Sequence, residues 1–134
     1  MKILIIDAQG GGMGRQIVAA LKQAFPQDEI TAAGTNSVAT TAMLKAGADH
    51  AATGENAVIV GCRKADVIVG PVGIVIADAL YGEITPAMAL AVGQSGAKRV
   101  LVPTNLCGNI IAGVSDYSVA HLVAEVTNEI SKLH

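Results

Sequence analysis

The sequence predicts an α/β protein built on a parallel sheet of about six strands, with helices on both faces. Three observations predict it. Short β-rich runs alternate with longer segments of helical period. The first run, Lys2-Ile3-Leu4-Ile5-Ile6-Asp7, feeds a glycine-rich turn that opens into a helix-like segment. Apolar residues make up 51% of the 134-residue chain but aromatic ones only 2%, which suits close packing of helices on a sheet.

The strands expected in order are Ile3–Asp7, Glu29–Ala33, Asp49–Thr53, Val67–Pro71, Arg99–Pro103 and Asn109–Val114. Helices are expected over Gly12–Ala24, Val38–Ala46, Asn56–Ala65, Ile74–Tyr81 with Pro86–Gln94, and Ser118–Leu133. Phrases such as Lys45-Ala46-Gly47-Ala48-Asp49 and Gly96-Ala97-Lys98-Arg99 end one helix on a glycine and restart the chain as a strand. Thr85 before Pro86 reads as an N-cap with proline at the first helical position. One domain over residues 1–134 is the expectation at this length.

The turn Ala8-Gln9-Gly10-Gly11-Gly12-Met13-Gly14-Arg15 holds four glycines in the five positions 10–14. Glycine there lets a pyrophosphate approach backbone N–H groups and the N-terminus of the following helix, in the Rossmann-like manner. The strict dinucleotide spacing fails, because Arg15 stands where the last glycine belongs. A better fit is the short-chain dehydrogenase spacing, with Ala8, Gly12 and Gly14 at its three places and Arg15 following. Arg15-Gln16 replaces the Lys–Ser/Thr pair of a P-loop, which argues against ATP or GTP hydrolysis. The bland alternative is a tight turn that only lets helix and strand pack closely. Anion binding is the favoured expectation, with Gly10, Gly11, Gly12, Met13, Gly14 and Arg15 as the phosphate-binding residues.

The second strand should carry the residue that reads a ribose. It ends in Gly34-Thr35-Asn36-Ser37, with neither the acid expected for NAD nor an arginine for a 2′-phosphate. Thr35, Asn36 and Ser37 can bond a polar head or cap the next helix. NAD(P) or another nucleotide is thus the cofactor class implied, without a choice between them.

Parallel strands place their carboxyl ends on one rim. That rim collects Asp7, Gln9, Thr53, Glu55, Asn56, Thr104 and Asn105 as well as the two loops above. It also includes Gly70-Pro71-Val72-Gly73 after the fourth strand, which should lie beside the first. Gly70, Pro71 and Gly73 are therefore assigned to the ligand side, against the plainer reading of a rigid turn before a buried helix.

Catalytic groups are scarce. A short-chain dehydrogenase needs a Tyr with a Lys four residues on, but Tyr81 is followed there by Thr85 and Tyr117 by His121. His50, His121 and His134 show no partner suggesting a triad or metal site, and read as surface histidines. Asp7 at a strand end and Cys107 in the loop after the fifth strand are the two reactive candidates. Each has a plain alternative, a turn cap for Asp7 and an unactivated thiol for Cys107.

The crossover Gly73–Gly93 is apolar on nearly every face, with only Asp78 and Glu83 charged. A helix apolar all round is buried on more than one side, so a homodimer through this crossover is expected. Packing under the C-terminal helix is the alternative. A formal charge of −2 and no long basic run argue against nucleic acid. No apolar run approaches a membrane span, the opening residues read as a strand rather than a targeting signal, and Cys62 and Cys107 lack metal-like spacing. A cytoplasmic protein is expected.

Several phrases together carry a family likeness: Ile5-Ile6-Asp7-Ala8-Gln9-Gly10-Gly11-Gly12, Gly34-Thr35-Asn36-Ser37, Ala52-Thr53-Gly54-Glu55-Asn56, Gly70-Pro71-Val72-Gly73-Ile74 and Gly82-Glu83-Ile84-Thr85-Pro86-Ala87-Met88-Ala89. The chain resembles, from Met1 to about Gly113, a family of short bacterial proteins grouped as a domain of unknown function. The resemblance implies a Rossmann-like protein of the bacterial cytoplasm, and it carries over no activity or catalytic residue.

The expectation is a binding or sensory module that takes a nucleotide or dinucleotide at the Gly10–Gly14 turn. The alternatives are a small enzyme on a phosphorylated metabolite, using Asp7 or Cys107, and a structural or partner-binding dimer with no ligand.

Overall fold

The computed structural model describes residues 1–104 and 107–134. Its elements run β1 (Lys2–Asp7), α1 (Gly12–Ala24), β2 (Glu29–Gly34), α2 (Ser37–Lys45), β3 (His50–Thr53), α3 (Glu55–Lys64) and β4 (Val67–Pro71). A 3₁₀ turn over Val72–Val75 follows, then α4 (Pro86–Gln94), β5 (Lys98–Val102) and α5 (Val119–Ser131). The five strands form one sheet in the order β3-β2-β1-β4-β5, and every neighbouring pair is parallel.

β1 is central because its side chains alternate between two cores. Ile3 and Ile5 join Ile17, Leu21, Ile30 and Met43 on one face, under α1, α2 and α5. Leu4 and Ile6 join Val58, Ile68, Ile84 and Val92 on the other, against α3 and α4. A period of two on a strand buried on both sides produces this division. Each such side chain contributes about 1.5–3 kcal/mol by leaving water.

Local chemistry sets the helix starts. Asn36 caps α2 by accepting from the Ala39 N–H at 2.9 Å. Thr85 Oγ1 accepts from the Met88 N–H at 3.2 Å, with Pro86 at the first position of α4 as expected. The sheet order turns back between β1 and β4, so the loops after these strands share one crevice.

Two expected elements do not form. The helix expected over 74–81 is replaced by the 3₁₀ turn and a run of tight turns, with positive φ at Asp78, Leu80, Tyr81 and Gly82. Ile74-Val75-Ile76 is a β-branched run that resists helix, and the chain folds back through Asp78 N–H to Ile84 O at 2.8 Å. The turns bury Ile74, Leu80 and Ile84 within the subunit, so of the apolar crossover only its second piece, α4, is a helix. The sixth strand expected over 109–114 is also absent. Positive φ at Gly113 interrupts the extended backbone a strand requires.

Candidate functional site

At the carboxyl rim the β1–α1 turn is shaped by packing at two of its glycines and by nothing nearby at two others. Gly11 has φ 71°, and a Cβ there would stand 2.8 Å from Ala39 Cα. A Cβ on Gly14 would meet Met43 Sδ at 2.6 Å and Asp7 Cβ at 2.8 Å. Both positions are glycine because α1 lies so close to α2 and β1. Around Gly10 and Gly12 nothing lies within 4 Å of an added Cβ, so the protein itself makes no demand for glycine there.

Asp7 serves as the cap of α1. Its carboxylate accepts from the Gly14 N–H at 2.7 Å and the Ala8 N–H at 2.8 Å. The Gly12 and Met13 amides of the same first turn meet no acceptor among the described residues. Burial pushes the Asp7 carboxyl up, the two N–H bonds pull it down, and the nearby Glu83 charge raises it further, for a net rise. Of the two sequence readings of Asp7, the geometry is that of the cap.

Glu83, not among the residues expected on the rim, organises the rest of it. Its carboxylate accepts from Gln9 N–H at 3.1 Å, from Thr35 Oγ1 at 2.8 Å and from Asn36 Nδ2 at 2.6 Å. Asn36 Nδ2 also reaches Gln9 O at 3.0 Å. Burial works to raise the Glu83 carboxyl, but the donors from Thr35, Asn36 and Gln9 outweigh it and hold the group low. Thr35 and Asn36, expected to read a ribose, therefore engage an internal carboxylate. That acid comes from the β4–α4 connection rather than from the end of β2.

The other expected residues sit apart from this cluster or serve packing. Ser37 and Arg15 are exposed on the first turns of α2 and α1. Met13 is half-buried against the α1 core. The Gly70–Gly73 turn lies beside β1 as expected, but its glycines answer to packing. A Cβ on Gly70 would stand 2.5 Å from Ile6 O, and one on Gly73 would stand 3.2 Å from Leu80 Cγ. Gly34 is equally tight against Thr40. Thr53 Oγ1 pairs with Thr40 Oγ1 at 2.7 Å, and Glu55 accepts from Thr85 Oγ1 at 2.6 Å. Thr104 Oγ1 is buried without a hydrogen-bond partner among the described residues, and Asn105 lies outside them.

Cys107 Sγ accepts from the Leu80 N–H at 3.5 Å, next to the turns that carry Glu83. His134 is exposed, as expected of a surface histidine, and it also has partners. Its Nε2 lies 2.6 Å from Asp28 Oδ2, and its ring stacks on Phe25 at 4.4 Å. His50 and His121 stand 3.8 Å and 3.9 Å from Glu29 and Asp116 at the surface. Among the described residues no three His, Cys, Asp or Glu side chains gather as metal ligands. No helix among them is long and apolar enough to cross a membrane. Two grooves lie away from the rim. One of about 590 Å³ runs between α3 and α4 past Cys62, Arg63 and Leu90. The other, of about 420 Å³, lies beside α3 at Lys2, His50 and Lys64.

A family model described as Domain of unknown function (DUF3842) matches residues 2–134. The chain belongs to that family. The match runs to the last residue, beyond the likeness to about Gly113 visible in short phrases. No curated protein matches it. Among solved structures it is similar to one titled a dodecameric FMN-dependent Ubix-like decarboxylase from Escherichia coli O157:H7. The identity is 18%, the match covers 98% of this chain and 94% of that one, and the TM-score is 0.48. A likeness of that size says nothing about the ligand or chemistry of this family member.

Proposed function

We propose that this chain is a single nucleotide-binding-type domain. It holds a nucleotide or dinucleotide, NAD(P) among the candidates, by its phosphates at the turn of residues 10–14. It acts as a binding or sensory module. The observation that carries the reading is the contrast among the four glycines. Gly11 and Gly14 are accounted for by neighbouring atoms, whereas Gly10 and Gly12 have open space beside the unengaged Gly12 and Met13 amides of α1. Backbone N–H groups at a helix N-terminus, open to close approach, suit a phosphate. Thr35 and Asn36 stand on the adjoining loop, where they can bond a polar head of the ligand.

The rim favours binding over catalysis. Asp7 has both oxygens engaged by the Ala8 and Gly14 N–H groups, and Glu83 is held low by its donors, so neither is set up as a general base. A homodimer through the Gly73–Gly93 crossover would use the outward face of α4, where Leu90 remains 57% exposed beside the α3–α4 groove.

A thermal-shift series with AMP, ADP, NAD and NADP tests the reading on wild type and on Gly12→Val. Stabilisation of wild type by at least one of them, lost in Gly12→Val, is the expected result. No shift with any of the four counts against a nucleotide site.

A further inference from the structure

Between the buried anchors Leu80 and Ile84, residues 81–83 form a short tip that projects over the β1–α1 and β2–α2 loops. Its Glu83 carboxylate gathers a backbone N–H, a hydroxyl and an amide from those two loops. These are neutral donors turned toward one negative group, as the oxyanion of a ligand would require. The tip adopts this position at a conformational cost. Leu80 and Tyr81 both have φ 57°, left-handed backbone that such side chains rarely adopt. Tyr81 is 99% exposed, so no burial of its ring offsets that cost. In exchange the tip gains the polar contacts of Glu83 and the backbone bonds from Gly82 N–H to Asp78 O at 3.1 Å and from Glu83 N–H to Leu80 O at 3.2 Å.

We propose that the Glu83 carboxylate occupies the place of a ligand oxyanion. Binding of a phosphorylated ligand displaces it, so that residues 81–83 act as a self-latched strap over the site. The inference rests on the phosphate reading of the glycine turn. A phosphate on the Gly12 and Met13 amides brings its charge into a crevice that already holds Asp7 and Glu83. Asp7 is fixed as the cap, whereas Glu83 lies on a strained tip and can leave. Its departure frees Gln9 N–H, Thr35 and Asn36 for the incoming oxyanion. The motion is confined to the tip, because Leu80 and Ile84 stay in the core.

The test compares wild type, Glu83→Gln and Glu83→Ala, with inorganic pyrophosphate as the probe. Isothermal titration should show both variants binding pyrophosphate about tenfold more tightly, since a competing internal ligand has been removed. Amide exchange across residues 78–86 should rise in ligand-free Glu83→Ala to the level of wild type saturated with pyrophosphate. Equal or weaker binding by the variants, with wild type still binding, overturns the latch and leaves the phosphate reading standing. Unchanged exchange in Glu83→Ala also overturns the latch. Pyrophosphate bound by none of the three proteins overturns the phosphate reading, and the displacement with it.

Discussion

Asn36 Nδ2 donates a 2.6 Å hydrogen bond to Glu83 Oε1 while Asn36 Oδ1 caps α2 at the Ala39 N–H. One amide thus ties the start of α2, the turn after β1 and the tip before α4. Removing it should loosen all three. Asn36→Ala is expected to lose about 1–2 kcal/mol of stability, the cost of an N-cap, measured by urea denaturation. Asn36→Asp keeps a cap but sets two carboxylates against each other, and should fall below Asn36→Ala in stability at neutral pH and recover in acid.

The glycine contrast predicts opposite outcomes for like substitutions. Gly14→Ala drives a methyl into Met43 and Asp7 and should cost about 1–3 kcal/mol. Gly12→Ala enters open space in a helical turn and should leave stability within about 0.5 kcal/mol of wild type or raise it. Nucleotide affinity, by contrast, should drop in Gly12→Ala. A denaturation series beside a binding series separates the two effects.

Acid stability should depend on Asp28. Burial alone would raise this carboxyl, but bonds from the Met1 ammonium and His134 hold it below its ordinary 3.8. A carboxyl depressed by folding contributes stability that is present above its unfolded value and lost as pH falls through the folded one. Asp28→Asn should therefore be less stable than wild type at neutral pH, with the gap closing below the ordinary value. Thermal unfolding scans across that range measure the gap.

On the core side, Ile5 is wholly buried at the centre of the sheet. Ile5→Ala should cost about 2–5 kcal/mol in equilibrium unfolding, through lost burial and the cavity left behind.

The homodimer proposed through α4 should respond to the most exposed apolar residue of that helix. Leu90→Glu is expected to convert a dimer to monomers in analytical ultracentrifugation without unfolding them. A wild-type chain that sediments as a monomer at all concentrations removes this contact.

What sequence reveals here is what is decided locally. The run from Ile3 to Asp7, the glycine turn after it and the Thr85–Pro86 cap are set by neighbours a few residues apart, and each formed as expected. The position of β4 beside β1 followed from the usual order of such sheets. Glu83 was invisible because its donors lie 47, 48 and 74 residues away, and the backbone that delivers it is left-handed at residues with no such preference. The pairing of His134 with Asp28, 106 residues apart, was hidden for the same reason. The stretch 109–114 has strand composition, but composition cannot supply a partner strand.

Amide-resolved NMR titration with a nucleotide tests most directly whether the turn of residues 10–14 binds phosphate. The predicted result is a saturable set of shifts centred on the Gly10, Gly12 and Met13 amides, spreading to Gln9 and the tip at residues 81–83. Shifts confined to the α3–α4 groove, or none at any concentration reached, would contradict it.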